Sequence, residues 1–393
     1  DATPLRARLK ILRKFRGLLA EQSLKFAELC SKRRRRPVEE ILTAEVIPLL
    51  EAIKFLEREA ESLLAPRRLG RNGRPAWLMS VTAEVHREPL GVILVIGPSN
   101  YPLFLPSVQA LQALVAGNAV IVKPGVGGLE VMECVVSLLH HAGLDHRIVQ
   151  ILPEDAAWAA ATVEAEVDKV VLTGSARTGE AVLRQLAAHG TPSVMELSGC
   201  DAVIVRSDAD LDLTVRALRF GTLLNNGATC IAPRRVFVHR SIATELEGRL
   251  SESFAADAGP RQPVPLKAEW MEIIRDALSG GAHLVSGSIL DDDHCLTPLV
   301  LAGALPEMQL LQEDVFAPVM GLVTVSDDHE ALEFSRRCPY ALGATIFSRD
   351  KAAAERLARA LHAGVVVVND MIVPTADPRL PFSARGRSGF GAT

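Results

Sequence analysis

The sequence predicts an α/β protein with parallel sheets, and three observations support this fold class. The chain has 393 residues, which exceeds one ordinary domain and indicates two or three. Hydrophobic residues make up 48% and charged residues 23%, a composition that allows a large core and argues against global disorder. From Gly91 onward, short apolar segments alternate with helical patterns. That rhythm is typical of parallel sheets covered on both faces.

The elements follow from hydrophobic spacing and helix-ending residues. The first sixty residues predict helices, because Leu9, Leu12, Phe15 and Leu19 recur at three- to four-residue spacing, and from Trp77 to Glu88 the pattern loosens toward short strands. In the first half we predict strands at 91–96, 119–122, 148–152 and 169–173, and helices from Pro106, at 129–141 before Gly143 and at 177–189 before Gly190. In the second half we predict strands at 202–205, 235–238, 321–325 and 364–369, and helices at 211–226, 241–254, 268–279 and 350–362.

Charge and cysteine usage limit the classes of partner. The formal net charge of -4 gives no general reason to expect nucleic acid or acidic membrane. The run from Lys32 to Arg36 predicts a solvated helix end, with a basic binding patch as the alternative. No apolar stretch is long enough to span a bilayer and no secretory signal opens the chain, so we expect a cytoplasmic protein. The six cysteines form no C-x-x-C pair, which argues against a disulfide framework and against a zinc cluster or other metal site.

Two segments offer catalytic side chains. Cys230 follows small and polar residues and precedes an apolar strand, so its thiol would lie in a loop that a substrate can approach. Glu196 lies between Met195 and Leu197 before a Ser-Gly turn, where partial burial would raise its pKa toward the range of a general base. Locally, a buried structural cysteine and a solvated strand-end glutamate remain open as alternatives.

Three further segments follow predicted strands and present polar groups where ligands gather in open α/β sheets. Gly174-Ser175 leads from a strand into a helix, whose free N–H groups suit a phosphate, although a plain turn has the same pattern. Asn100 lies in the loop 97–102 and offers an amide that can donate to an oxyanion. Lys123 precedes Pro124 and can reach a ribose or phosphate.

Taken together, these segments form an ordered set: Pro98-Ser99-Asn100, Lys123-Pro124, Thr173-Gly174-Ser175 through Gly179, Glu196-Leu197-Ser198-Gly199, Gly227 through Cys230, Glu313 through Pro318, Tyr340-Ala341-Leu342-Gly343, Asn369 and Pro381-Phe382. The set resembles the aldehyde dehydrogenase superfamily in order and spacing over most of the chain. The short length and the Asn-Tyr-Pro and Cys-x-Ala-Pro variants are similar to the shorter, dimeric class-3-like branch.

The resemblance implies a domain plan and an assembly. It implies a Rossmann-like cofactor-binding domain (1–75 and 89–196), an α/β catalytic domain (197–369) and a small bridging or oligomerisation element (76–88 and 370–393). It also implies a homodimer. The family usually continues past the point where this sequence ends, at Thr393, with a tail that supports oligomers, so we expect either altered dimer contacts or a disordered tail.

The resemblance also implies a reaction, the oxidation of an aldehyde to a carboxylic acid with NAD or NADP. Cys230 would be the nucleophile, Asn100 and the Cys230 N–H would stabilise the oxyanion, and Glu196 would activate the water that hydrolyses the thioester. The residues expected to bind the cofactor are Ser99, Lys123, Pro124, Gly174, Ser175, Gly179, Leu197, Asp314 and Phe316.

Three positions depart from the family pattern. Val126 stands where many NAD-preferring members carry a Glu, so NADP becomes permissible. Cys200 replaces a common Lys, for which the sequence offers no functional account. Asp314 replaces a Glu that commonly bonds the nicotinamide ribose and is one methylene shorter, so cofactor positioning would differ or a water would bridge.

Three alternatives remain. The first is an acylating, coenzyme-A-dependent enzyme or acyl reductase of the same fold, against which the retained Glu196 counts. The second is a catalytically silent binding protein, against which Cys230, Glu196 and Asn100 together count. The third is a basic patch over Arg33 to Arg36 that binds nucleic acid or lipid alongside the enzyme activity. The sequence does not name the aldehyde, although Ile372, Val373 and Pro374 hint at a medium-chain or aromatic one.

Overall fold

The computed structural model describes residues 3–256, 263–290 and 295–392. The chain divides into two compact units. Unit 1 comprises residues 1–172 and 182–193, and unit 2 comprises residues 173–181 and 194–393. Each unit contains parallel strands, helices and its own hydrophobic core, in agreement with the predicted α/β fold class.

Unit 1 opens with helices, as the spacing of its leucines predicts. The four residues of the predicted stripe, from Leu9 to Leu19, are all buried on the first helix and join one core cluster. The helices of this part are α1 (Leu5–Glu21), α2 (Ser23–Arg34), α3 (Val38–Ile41) and α4 (Ile47–Leu64). A π-helical turn, Leu42–Val46, joins α3 to α4 just before Pro48, which cannot donate a backbone hydrogen bond.

The prediction of a solvated helix end for the basic run from Lys32 to Arg36 needs correction. Arg35 adopts a left-handed conformation (φ 53°) that ends α2, and the chain turns inward before Pro37. The Arg36 side chain is consequently buried, with no exposed surface, whereas Lys32 and Arg35 are exposed. The side chains of Arg33 and Arg34, which belong to the predicted patch, lie outside the described part.

The rest of unit 1 follows the predicted strand–helix rhythm. Its elements are β1 (Arg67–Leu69), β2 (Ala83–Val85), β3 (Val92–Ile96), α5 (Phe104–Val115), β4 (Ala119–Lys123), α6 (Leu129–Ala142), β5 (Val149–Ile151), α7 (Ala156–Glu164), β6 (Lys169–Thr173) and the second half of α8 (Ala176–His189), whose residues up to 181 belong to unit 2. Strands β6, β3, β4 and β5 lie side by side in that order, all parallel. Strand β1 and helix α7 are absent from the prediction. The alanine-rich sequence of α7 lacks an amphipathic period, and Asp155 caps the helix.

The segment between α4 and β3 is exposed. Strands β1 and β2 pair antiparallel with each other, and the Trp77 side chain, on the short 3-10 turn Ala76–Leu78, is 81% exposed. Of the short strands expected between Trp77 and Glu88, only β2 forms. No helix in the described part of the chain combines the length and apolar character of a membrane span.

Unit 2 continues the rhythm with a larger sheet. Its elements are β7 (Ser193–Glu196), β8 (Asp201–Val205), α9 (Leu211–Leu223), β9 (Pro233–His239), α10 (Ala243–Ala255), β10 (Val264–Pro265), α11 (Ala268–Ser279), β11 (His283–Ser286), β12 (Ile289–Leu290), β13 (Cys295–Leu296), β14 (Leu299–Ala302), β15 (Val319–Val325), α12 (Asp328–Arg336), β16 (Tyr340–Ala341), β17 (Gly343–Phe347), α13 (Lys351–Ala360), β18 (Val365–Val368), β19 (Arg385–Gly386) and β20 (Gly389–Phe390). The order in the sheet is β11-β14-β15-β9-β8-β17-β18. Only β11 runs antiparallel to its neighbour in this set.

The central strands of this sheet are buried on both faces, as their unbroken apolar sequences predict. Alternate residues of β8 enter two different core clusters, with Ile204 in one and Val203 in the other. One prediction needs correction: the helix expected at 211–226 ends earlier, at Leu223. Asn225 and Asn226 take left-handed conformations (φ 52° and 53°), which a helix cannot include.

Candidate functional site

Cys230 lies in a sharply bent loop of unit 2, between α9 and β9. Asn225, Asn226 and Gly227 all have positive φ, and a Cβ atom on Gly227 would lie 2.2 Å from the Pro318 nitrogen. Only a glycine therefore fits this approach to the neighbouring chain. Cys230 is half-buried as a residue, and the approach of a substrate to its thiol stays a prediction.

Arg234 holds this loop in place. Its guanidinium donates to the carbonyl oxygens of Gly227 (2.6 Å) and Ala317 (2.5 Å), and its Nε lies 3.6 Å from an Asp314 carboxylate oxygen. Because the Arg234 side chain is almost fully buried, these are charge-assisted bonds in a dry environment. Sequence reasoning missed Arg234; its position within an apolar strand is the signal that marks it as unusual.

Glu196 ends β7 and belongs to the same unit as Cys230. Its residue pairs with Gly389 on β20, its carbonyl accepts from the Gly174 N–H (3.0 Å), and the following N–H, of Leu197, donates to Ser388. The side chain is buried, at 6% exposure. The backbone on both sides of the carboxylate is thus fixed by hydrogen bonds.

Three carboxylates of unit 2 act electrostatically on the Cys230 thiol. Burial raises the pKa of the Cys230 thiol well above its ordinary value, and the negative charges of Glu196, Asp201 and Asp314 raise it further. The same field opposes formation of the thiolate in the protein without ligands. Unit 2 places the turn that follows Glu196 against Cys230, since a Cβ atom on Gly199 would lie 2.2 Å from the Cys230 carbonyl oxygen, and the roles of nucleophile and base stay predictions.

Asp201 is a member of this group that sequence reasoning missed. It opens the buried strand β8, and its Oδ1 accepts from the Gly343 N–H at 3.0 Å. Burial raises the pKa of Asp201 to about 7. A carboxylate placed directly before the apolar run of β8 is the sequence signal for this position.

Asp314 is held by protein groups. Burial raises its pKa to about 6, against the opposing effects of Arg234 and of a hydrogen bond from Ser198. Its side chain is 8% exposed, and the neighbouring Phe316 is half-buried. The cofactor-binding role expected of both residues stays a prediction.

Unit 1 brings together two of its predicted ligand-binding loops. The Gly97 N–H donates to the Lys123 carbonyl at 2.9 Å, and a Cβ atom on Gly125 would lie 2.2 Å from the Pro98 carbonyl oxygen. The loop carrying Ser99 and Asn100 therefore lies directly against the loop carrying Lys123 and Pro124. Asn100 is 6% exposed.

These groups match the chemistry of a dinucleotide. The Lys123 side chain is mostly buried, and that burial lowers its pKa although Glu154 and Asp155 oppose the effect. A lysine at the carboxyl end of a parallel strand is suited to a ribose or phosphate. In unit 2, Ser175 is exposed at the start of α8, where helix N–H groups suit phosphate, while Gly179 is buried. Each unit, taken by itself, therefore presents groups whose chemistry fits a ribose or phosphate of NAD or NADP.

Cys200 and Cys338 form a thiol pair in a small buried cluster with Ala176 and Tyr340. A hydrogen bond between the two thiols lowers the pKa of Cys338 to about 7. Arg235 donates to the Cys200 carbonyl at 2.7 Å, so this backbone is also fixed. Among residues 3–256, 263–290 and 295–392, no group of three or more His, Cys, Asp or Glu side chains is arranged to hold a metal ion.

Comparison with known proteins identifies the family of the chain. The sequence profile described as the aldehyde dehydrogenase family matches residues 1–393. The 4,4'-diapolycopene aldehyde oxidase of a Methylomonas species is 32% identical over 361 residues, which cover 90% of this chain and 68% of that protein. The dimeric NADP-preferring aldehyde dehydrogenase of Rattus norvegicus is 30% identical, over 78% of this chain and 69% of its own. The NADP-dependent glyceraldehyde-3-phosphate dehydrogenase of Bacillus halodurans C-125, solved with NADP, superposes with a TM-score of 0.91 at 30% identity, covering 100% of this chain and 84% of its own.

Proposed function

The chain belongs to the aldehyde dehydrogenase family and is an NAD(P)-dependent oxidoreductase, and from this premise we propose that it oxidises an aldehyde to the free carboxylic acid. Cys230 is the nucleophile and Glu196 the general base in this proposal. The observation that carries it is the close approach of the turn after Glu196 to Cys230 within one unit, where a Cβ atom on Gly199 would lie 2.2 Å from the Cys230 carbonyl oxygen.

The first step forms a bond between the Cys230 sulfur and the aldehyde carbon. The Cys230 thiol first loses its proton to water, the resulting thiolate attacks, and the negative charge moves to the former carbonyl oxygen. The Cys230 N–H and the Asn100 side-chain amide are the proposed donors to that oxyanion. One such donor contributes about 3 kcal/mol to the transition state, because it is oriented before the charge develops.

The cofactor, when bound, supplies the hydride acceptor for the oxidation. We propose that Lys123 and Ser175 hold its ribose and phosphate groups, with Ser99, Pro124, Gly174, Gly179, Leu197, Asp314 and Phe316 around them. Val126, which is 71% exposed, places no carboxylate at the position where many family members repel a 2′-phosphate. The chain's own residues therefore permit NADP as well as NAD.

The last step releases the acid from the Cys230 thioester. Glu196 takes a proton from water, the resulting hydroxide attacks the acyl carbon, and the sulfur leaves as thiolate. Coenzyme A would make this base unnecessary, because its own thiol is the acyl acceptor. The retained and buried Glu196 carboxylate therefore favours hydrolysis over acyl transfer.

We also propose an apolar substrate and a homodimer. The segment from Met371 to Leu380 follows β18, and its residues Val373 and Leu380 are more than half exposed. Apolar side chains on such a segment suit a medium-chain or aromatic aldehyde. The domain plan expected from the sequence, with a bridging element at 76–88 and 370–393, stays part of this proposal.

The test is NADH or NADPH formation with hexanal, benzaldehyde and glyceraldehyde 3-phosphate, with and without coenzyme A. We expect turnover without coenzyme A, and losses of at least about 1,000-fold in Cys230→Ala and Glu196→Gln. Cys134→Ala, a half-buried cysteine of unit 1, and the exposed Glu355→Gln are the matched controls. Full activity of Cys230→Ala would exclude the nucleophile, and turnover only with coenzyme A would replace hydrolysis by acyl transfer.

A further inference from the structure

Arg36 and Glu45 form a fully buried ion pair in unit 1. Neither side chain has exposed surface, and Arg36 Nη1 lies 2.7 Å from Glu45 Oε1. Arg36 Nε also lies 2.7 Å from Glu40 Oε1. Removing two charges from water is unfavourable, and a pair of this kind is a weak source of net stability. Its contacts therefore point to a role other than holding the fold together.

Those contacts converge on the loop that follows Asn100. Arg36 Nη1 donates to the Asn100 carbonyl oxygen (3.4 Å), and the Arg36 guanidinium lies 5.1 Å from the centre of the Tyr101 ring. Glu45 Oε2 accepts from the N–H groups of Leu103 (3.0 Å) and Phe104 (3.3 Å). The pair thus contacts this loop at Asn100 and Tyr101, and again at Leu103 and Phe104, where α5 begins.

The local backbone is shaped to deliver both side chains. Arg36 follows the left-handed Arg35, and its own carbonyl accepts from the Ser31 hydroxyl at 2.6 Å. Glu45 lies in the π-helical turn Leu42–Val46, a conformation that often marks functional sites because it redirects side chains.

We propose that the Arg36–Glu45 pair positions the Asn100 side-chain amide for oxyanion stabilisation. This inference rests on the proposed function, since it takes Asn100 as an oxyanion donor. Arg36 and Glu45 act through the loop backbone and are positioning residues. A donor that is displaced by a fraction of an ångström loses much of its effect on the transition state, because preorganisation is the source of that effect.

Lysine is the informative replacement for Arg36. Its single ammonium keeps the positive charge beside Glu45 but cannot reach Glu40, Glu45 and the Asn100 carbonyl at once, as the planar guanidinium does. Glu45→Gln is the second variant; it keeps an acceptor for the N–H groups of Leu103 and Phe104 and removes the charge. Arg16→Lys is the matched control, because Arg16 makes a bidentate pair with Glu57 elsewhere in the same unit.

The experiment is a double-mutant cycle on kcat with the holoenzyme and hexanal. We expect Arg36→Lys to lower kcat about 10-fold and to leave the aldehyde KM within about 3-fold of the parent. In an Asn100→Ala background, the same change should alter kcat by less than about 2-fold, because the group it positions is gone. Hydrogen exchange of the peptide covering residues 101–104 should be faster in Arg36→Lys and unchanged in Arg16→Lys.

The outcomes separate two failures. An equal loss of kcat in both backgrounds, or no loss in Arg36→Lys and Glu45→Gln, overturns the positioning role while leaving the proposed function intact. Full activity of Cys230→Ala overturns the proposed function itself. Unchanged kcat in Asn100→Ala overturns the oxyanion role of Asn100 and, with it, the positioning inference. If Arg36→Lys does not fold, Glu45→Gln carries the same cycle.

Discussion

The backbone of Gly199 lies so close to Cys230 that a Cβ atom on Gly199 would be 2.2 Å from the Cys230 carbonyl oxygen. We therefore predict that Gly199→Ala shifts the Cys230 loop, lowers kcat strongly and destabilises the protein by about 2 kcal/mol. Gly248→Ala is the control, since Gly248 lies within α10 with nothing within 4 Å, and it should be neutral or stabilising. Thermal unfolding and steady-state kinetics measure both effects. Wild-type kcat in Gly199→Ala would contradict the close approach.

Removal of the Arg234 guanidinium should be among the most damaging changes in unit 2. Arg234→Met leaves the carbonyls of Gly227 and Ala317 without their donor and the buried Asp314 without its cation. We expect a loss of about 3 kcal/mol in the free energy of unfolding, measured by urea denaturation. Arg240→Met, at an exposed position, should change it by less than about 0.5 kcal/mol. If the two variants unfold at similar urea concentrations, Arg234 does not hold the Cys230 loop in place.

The charge environment of Cys230 predicts how its reactivity depends on pH. Because burial and three carboxylates raise the pKa of the thiol, only a small fraction is thiolate at neutral pH. The rate of alkylation by iodoacetamide in the absence of cofactor should rise with pH and show no plateau below pH 9. Glu196→Gln removes one negative neighbour and should move the profile to lower pH. Mass spectrometry of the Cys230 peptide measures the rate. A plateau near pH 7 would show that burial and the three carboxylates do not raise the pKa of the thiol.

Asp201 should make the protein less stable as pH rises. Its pKa is about 7 in the folded protein against an ordinary value of 3.8, so the folded state binds the proton more tightly. The stabilisation is complete below pH 3.8 and is lost as pH rises toward 7, at about 1.4 kcal/mol per unit. Asp201→Asn keeps an acceptor for the Gly343 N–H and cannot ionise. Between pH 5 and pH 7, the free energy of unfolding of the variant should therefore rise relative to that of the parent. A difference between the two that does not change with pH would contradict the buried, protonated carboxyl.

Much of the fold was predictable because its signals are local. The unbroken apolar run of β6 and the glycine after α6 set those elements within a residue or two of their observed bounds. The α7 helix was not predictable, since its alanine-rich sequence gives no amphipathic period. The early end of α9 is followed by left-handed conformations at Asn225 and Asn226, which hydrophobic spacing does not reveal.

The residues of the site also differ in how far the sequence alone reveals them. The local sequence made Cys230 and Glu196 candidates and left structural alternatives open, the family resemblance implied their catalytic roles, and those roles stay predictions. Arg36 was misjudged because a run of basic residues predicts a solvated surface, whereas Glu45, nine positions later, supplies the buried counter-charge. Such pairing depends on how helices pack, which sequence spacing does not reveal.

The most direct test of the central claim is intact-protein mass spectrometry of Glu196→Gln mixed with NAD or NADP and hexanal, with reduced cofactor followed by absorbance. The account predicts one equivalent of reduced cofactor in a rapid burst, followed by a persistent acyl adduct that maps to Cys230 and is absent in Cys230→Ala. Continuous turnover of Glu196→Gln at the parent rate without an adduct, or an adduct on another cysteine, would contradict it.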